Sequence, residues 1–181
     1  MPNEETISEE MQLLIFSIAN EKFACKINQV IEITKMMEIT KMPKAPEYIK
    51  GVINLRGKVI AVIDLARQLA LPSSEQDEET RIIVVDLDDN IVGMLVESAS
   101  EVMKISEENI EATPAVIESK IDTRYIEGIG RVGEHLFVLL DLNKVFSSEE
   151  MESIEEETES MDKETESMDK ATESVDKATE P

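Results

Sequence analysis

The sequence predicts an all-β protein with short helices, assembled as small antiparallel barrels from an internal duplication. Two alignments within the chain carry this reading. Residues 48–65, YIKGVINLRGKVIAVIDL, align without a gap with residues 125–142, YIEGIGRVGEHLFVLLDL. Tyr48/Tyr125, Ile49/Ile126, Gly51/Gly128, Asp64/Asp141 and Leu65/Leu142 are identical, and most apolar positions between them stay apolar. Upstream, QLLIFSIANEKFACKI from Gln12 aligns ungapped with RIIVVDLDDNIVGMLV from Arg81. Matched pairs in the same order make residues 12–65 and 81–142 two copies of one β unit. Repeat units of about 12–72 and 81–146 then fill a domain spanning residues 11–146. Short strands at this spacing, with turn signals between them, suggest small barrels.

Residues 1–10 read as a disordered lead. Residues 13–19 and 23–27 form the first hairpin around Asn20-Glu21-Lys22, with Leu14, Phe16 and Ile18 sharing a face. Residues 28–33 turn through a short helical or bulged segment into another strand. Met36, Met37, Ile39 and Met42 lead to Pro43 and Pro46, which bar a helix. Those methionines suit an adaptable binding surface or a core gap equally well. Within residues 48–65, Val52 and Ile53 precede a polar knot, Asn54-Leu55-Arg56-Gly57, and the run 59–63 follows it. That run is β-branched and unbroken, the mark of a strand buried on both faces. Gly57 supplies the freedom for a tight turn, and Gly51 and Gly128 are also read as turn-forming. Arg56 is thereby displayed at a turn between two strands, a good place to present a charge to a partner.

Asp64 caps a short helical stretch over residues 65–71, which Pro72 ends, and Asp141 caps its counterpart. Residues 73–80 form a polar linker. In the second copy, residues 81–87 and 91–96 make a hairpin around Asp88-Asp89-Asn90, and residues 101–105 a further strand. Residues 106–123 are a polar, loop-rich connection containing Pro114.

Composition changes at residue 147. TESMDKE, TESMDKA and TESVDKA repeat every seven residues from Thr158, with only Met161, Met168 and Val175 recurring as large apolar positions. A coiled coil needs two apolar seam positions per heptad. Ordering each residue costs roughly 1–2 kcal/mol of backbone entropy, which one such side chain per heptad does not offset. Residues 147–181 therefore read as a disordered acidic tail. Its 14 acidic and 3 basic residues give it −11, half of the chain's −22. No basic patch with interleaved aromatics exists, which argues against nucleic acid as a partner. An acidic surface repels anionic headgroups, and the longest apolar runs, such as residues 136–140, are too short to span a bilayer. No direct membrane insertion is expected. The opening MPNEETISEE lacks the features of a signal peptide, and the single cysteine, Cys25, allows no disulfide framework. A cytoplasmic protein is expected.

Residues 128–133 match the G-x-G-x-x-G dinucleotide fingerprint, but the motif requires a helix after it, and a strand-like run follows. His135 has no second histidine or nearby cysteine with which to build a ligand set. Cys25 lies among alternating apolar positions, as a small buried hydrophobe does. Asp64 and Asp141 hold matched places, which invites paired-carboxylate or metal chemistry, yet each stands where a cap is the ordinary role. No catalytic residue, metal site or cofactor is expected.

With NLRG set between two buried strands, and Y-I-x-G and D-L framing it, the sequence resembles the bacterial chemotaxis coupling family, CheW. Residues 51–65, GVINLRGKVIAVIDL, come close to that family's signature, and VIEI from Val30 also matches. The chain departs at Ala61 and Ala66, where the family often has proline and arginine. The resemblance implies two small five-stranded SH3-like barrels packed on a shared hydrophobic core. It implies a non-catalytic adaptor that couples the cytoplasmic tips of methyl-accepting chemoreceptors to the regulatory domain of the histidine kinase CheA. Such a protein is recruited from the cytoplasm to membrane-associated receptor arrays. Val30, Glu32, Asn54 and Arg56 fall at the receptor-binding surface by this resemblance. Two roles stay open to Arg56: contact with the receptor, or bracing of its own loop through backbone carbonyls. A paralogue serving a non-motility chemosensory pathway is the alternative, with a small nucleotide- or metal-dependent enzyme a distant third.

Overall fold

Because the apolar runs are both short and unbroken, their strands need cover on two faces, and the fold supplies it with two sheets. The computed structural model describes residues 10–112, residues 121–146 and Ile154. Ten strands follow in order: β1 (Glu10–Ile18), β2 (Glu21–Lys26), β3 (Val30–Lys35), β4 (Ile49–Leu55) and β5 (Lys58–Asp64) in the first copy. The second copy supplies β6 (Arg81–Leu87), β7 (Asn90–Val96), β8 (Ser98–Ser106), β9 (Ile126–Val132) and β10 (His135–Leu140). Single-turn helices α1 (Leu65–Gln68) and α2 (Leu142–Val145) follow β5 and β10. The strands form two five-stranded sheets, ordered β8-β1-β2-β10-β9 and β3-β6-β7-β5-β4. This is the all-β, two-barrel SH3-like arrangement that the sequence predicts.

The two copies are interlaced. Each sheet takes its leading hairpin from one copy and its other three strands from the other copy. The β1–β2 hairpin lies between β8 and β10, and β6–β7 lies between β3 and β5. The junctions β2–β10 and β5–β7 are parallel, so each barrel departs at one place from the antiparallel pairing expected, while the remaining pairings are antiparallel.

Side-chain alternation then sorts the core into three parts. Leu13, Ile15, Ala24, Ile105, Phe137 and Leu139 fill the first barrel, and Ile53, Ile60, Val62, Ile82, Val84 and Leu95 fill the second. The alternate residues of the same strands, among them Leu14, Phe16, Phe23, Ile63, Ile83 and Leu140, form one shared core between the sheets. A strand that serves a barrel on one face and the shared core on the other carries no polar positions, hence the unbroken runs.

Several boundaries differ from the sequence reading. Glu10, assigned to a disordered lead, already pairs with Ser106. The strand expected over residues 101–105 runs Ser98–Ser106. The first helix ends at Gln68, before Pro72 can act: Ala70 adopts φ +57°, Leu71 N donates to Ala66 O and Ala70 N to Arg67 O. That is a Schellman stop with alanine in the place glycine usually takes. Gly51 and Gly128 lie inside β4 and β9 rather than in turns. A side chain on Gly51 would collide with Thr40 O, and one on Gly128 with Ile110 and Glu111 O. These glycines let the preceding segment cross the strand closely, where Thr40 pairs with Val52 and Glu111 with Ile129.

The packed part also extends beyond residue 146, because Ile154 is helical and buried in the shared core. Otherwise the expectations for residues 1–9, 113–120 and the acidic tail fall outside the described residues. Among the described residues no helix is long and apolar enough to cross a membrane.

Candidate functional site: a charged turn across a barrel seam

The polar knot forms a two-residue turn. Leu55 pairs with Lys58, leaving Arg56 and Gly57 as the loop, at φ +52° and +84°. Two positive φ values in succession mark a type I′ turn, whose twist suits a hairpin. Asn54 Oδ1 accepts a hydrogen bond from Gly57 N at 3.0 Å. The Arg56 guanidinium reaches across to β3, with Nη2 3.1 Å from Glu32 Oε2. Since β3 and β4 are the two edges of their sheet, this pair spans the seam of the barrel. Of the two roles open to Arg56, the bracing found here runs to a carboxylate and not to a backbone carbonyl. The Arg56 side chain remains 82 % exposed, against 23 % for Glu32. An ion pair this open contributes about 0–1 kcal/mol, so it orients the arginine more than it stabilises the fold.

Val30 is half-buried and packs against the shared core. The apolar side chains that face outward on the same strand are Ile31 and Ile33, 51 % and 41 % exposed. Neither is among the residues that the resemblance singles out. The signal was present in the run Val30-Ile31-Glu32-Ile33: in a strand, adjacent residues point to opposite faces, so one of each pair must face outward.

The other barrel offers an internal comparison. Glu101 pairs with Ile15 as Glu32 pairs with Val84, and exposed Val102 pairs with Leu14 as Ile33 pairs with Ile83. By the ungapped alignment, however, the places of Asn54 and Arg56 are taken by Arg131 and Gly133. Gly133 stands at φ +59° and has no side chain with which to reach Glu101. The seam-spanning arginine therefore belongs to one copy alone.

The remaining sequence candidates have structural roles. Asp64 is buried at the head of α1, its carboxylate accepting from Arg67 N at 3.4 Å and Ser73 Oγ at 2.9 Å. Asp141 accepts from Asn143 N at 3.1 Å at the head of α2. The backbone N–H groups of these two aspartates donate to Tyr48 O and Tyr125 O, so the paired tyrosines and aspartates close equivalent loops in the two copies. Gly130 leaves room for the ring of Phe137, which any side chain there would strike. Within the G-x-G-x-x-G match, this glycine accommodates an aromatic residue on the next strand. His135 is exposed at the start of β10.

Cys25 is buried in the shared core, and burial pushes its thiol up to about 12. The thiolate is the reactive form, so the native protein is expected to resist iodoacetamide at pH 8 and to react once unfolded. Fast alkylation of the native protein would contradict this placement. The linkage has a definite sign. From pH 9 the unfolded thiol ionises while the folded one holds its proton, so stability falls as pH rises from about 9 towards 12.

Two SH3-like barrels interlaced on a common core, with a charged turn paired to an edge strand that exposes two isoleucines, define a protein-binding module. Known proteins of this kind supply its family. The profile of the CheW-like domain matches residues 12–150. The chain is 35 % identical over 151 residues to a chemotaxis protein CheW of Klebsiella aerogenes, covering 83 % of this chain and 89 % of that protein. It is 36 % identical over 142 residues to one of Bacillus subtilis, covering 78 % and 90 %. The crystal structure of a scaffolding protein, TtCheW from Thermoanaerobacter tengcongensis, superposes with a TM-score of 0.71 at 33 % identity, over 83 % of this chain and 96 % of that one. The chain belongs to the CheW family. It is a non-catalytic chemotaxis scaffold protein.

Proposed function

We propose that this chain couples the cytoplasmic tips of methyl-accepting chemoreceptors to the regulatory domain of the histidine kinase CheA, within arrays at the membrane. The observation that carries the reading is the conformation of Arg56. A non-glycine residue in the left-handed region costs about 1–2 kcal/mol. The matched turn of the second copy has glycine there, so hairpin formation alone does not require an arginine. The guanidinium is exposed and paired to Glu32, on the strand that also exposes Ile31 and Ile33. A receptor tip is a helical hairpin. Apolar residues on one of its helices can cover the two isoleucines while the planar guanidinium anchors a polar group. Val30 and Glu32 complete this docking region. Recruitment to the array follows from receptor contact, with no insertion of the chain itself into the bilayer.

Arg56→Ala tests the reading. Exposed substitutions usually change stability by no more than about 0.5 kcal/mol, so the unfolding curve should hardly move. Affinity for a receptor-tip fragment should fall by about 2 kcal/mol, roughly thirtyfold. Unchanged affinity in a folded variant removes this turn from the receptor surface. Parallel titration with a CheA regulatory domain tests the second partner separately.

A further inference from the structure

Among the described residues three hairpin turns place non-glycine residues at positive φ: Ala19 and Asn20 (+52°, +62°), Arg56 before Gly57 (+52°), and Asp88 and Asp89 (+53°, +70°). In each, a side-chain oxygen accepts from the N–H of the second turn residue. Glu97 takes Asn20 N at 3.3 Å, Asp86 takes Asp89 N at 2.9 Å, and Asn54 takes Gly57 N at 3.0 Å. Asp86 and Asn54 do so from the same place, two residues before the first turn residue. The fourth turn, which opens with Gly133, has Arg131 in that place, and a guanidinium accepts no hydrogen bond. In two of these turns an acceptor two residues ahead accompanies a side chain at the strained position, and in the Ala19 turn Glu97 supplies the acceptor from a distant strand end. In the fourth turn, where Arg131 takes the acceptor's place, the strained position is glycine.

We infer that Asn54 is a positioning residue for Arg56: it acts through the Gly57 N–H to hold the turn that aims the guanidinium, and is not itself a partner contact. This rests on the reading of Arg56 as the docking side chain. The bond uses the amide oxygen of Asn54, the one feature that aspartate shares, and Asp86 shows that a carboxylate serves in the same geometry. Strand pairing on either side, Asn54 with Val59 and Leu55 with Lys58, keeps the hairpin in register without the brace. Its loss therefore frees the arginine and leaves the barrel intact.

A double-mutant cycle with a helical-hairpin fragment of a chemoreceptor tip decides the matter, with thermal unfolding measured on every variant. Asn54→Ala is expected to weaken binding roughly tenfold and to speed hydrogen exchange at the Gly57 amide. Asn54→Asp, which keeps the acceptor but not the amide donors, should stay within about twofold of the parent and keep Gly57 protected. On an Arg56→Ala background, Asn54→Ala should cause no further loss. Independent, multiplying losses from Asn54→Ala and Arg56→Ala overturn this inference alone and make Asn54 a contact residue. Full affinity in Arg56→Ala overturns the docking reading and this inference together.

Discussion

Phe16→Ala is expected to remove about 3–5 kcal/mol of folding stability and to loosen both sheets at once. Phe16 lies on β1 with no exposed surface, in the core that the two barrels share. Its ring stacks on Phe23 at a centroid distance of 6.2 Å and an interplanar angle of 22°. Truncation leaves a cavity bounded by residues of both sheets, and close-packed surroundings collapse only partly into such a space. A domain of this size has about 5–15 kcal/mol in total, so the loss is a large fraction. Denaturant unfolding reads the magnitude. Native-state hydrogen exchange reads the reach: Ile83 and Ile63, in the opposite sheet, should lose protection together with Leu14. Loss confined to the first sheet would show that the sheets share less than their packing indicates.

Ile154→Ala is expected to cost about 2–5 kcal/mol, although the residue lies within the acidic stretch. Ile154 is 3 % exposed and sits in the shared core with Leu142, Val145 and Phe146. A chain stopped at Phe146 loses the same contact and should lose at least as much. At roughly 2–4 °C of Tm per kcal/mol for a chain of this size, the shift is easily measured. An unchanged Tm in both variants would place Ile154 outside the core. By composition, which turns acidic at residue 147, the packed domain ends at residue 146. A single isoleucine among glutamates is a weak periodic signal, and only its partners in space show that it is used.

The duplication, the hairpins and the special turn were legible because they depend on local pattern. Ungapped matches at Tyr48/Tyr125 and Asp64/Asp141 reported equivalent loops, and the backbone pairs each such tyrosine and aspartate in both copies. The exchange of hairpins between copies was not legible. Local sequence fixes that residues 81–87 form a strand buried on both faces, but the choice between two similar sheets rests on long-range packing. Gly51 and Gly128 were misread for a related reason. Glycine marks close approach as readily as it marks a turn, and the approaching backbone at Thr40 and Glu111 is remote in the chain. At the site, resemblance singled out Glu32 and Arg56 separately. Their pairing required the barrel to close, bringing two sheet edges together.

The interlacing sets an order of events during synthesis. When β1 and β2 leave the ribosome, their slot does not yet exist: Leu14 must await Val102, and Phe23 must await Val138. Translation at roughly 5–20 residues per second puts about 5–20 s between β1 and its β8 neighbour. For that interval the nascent chain carries a hairpin that is apolar on both faces, a natural client for holding chaperones. The first barrel cannot be finished until β10 has emerged, so a chain released early should leave the β1–β2 hairpin uncovered and aggregate, even where β3 to β7 can already close the second barrel.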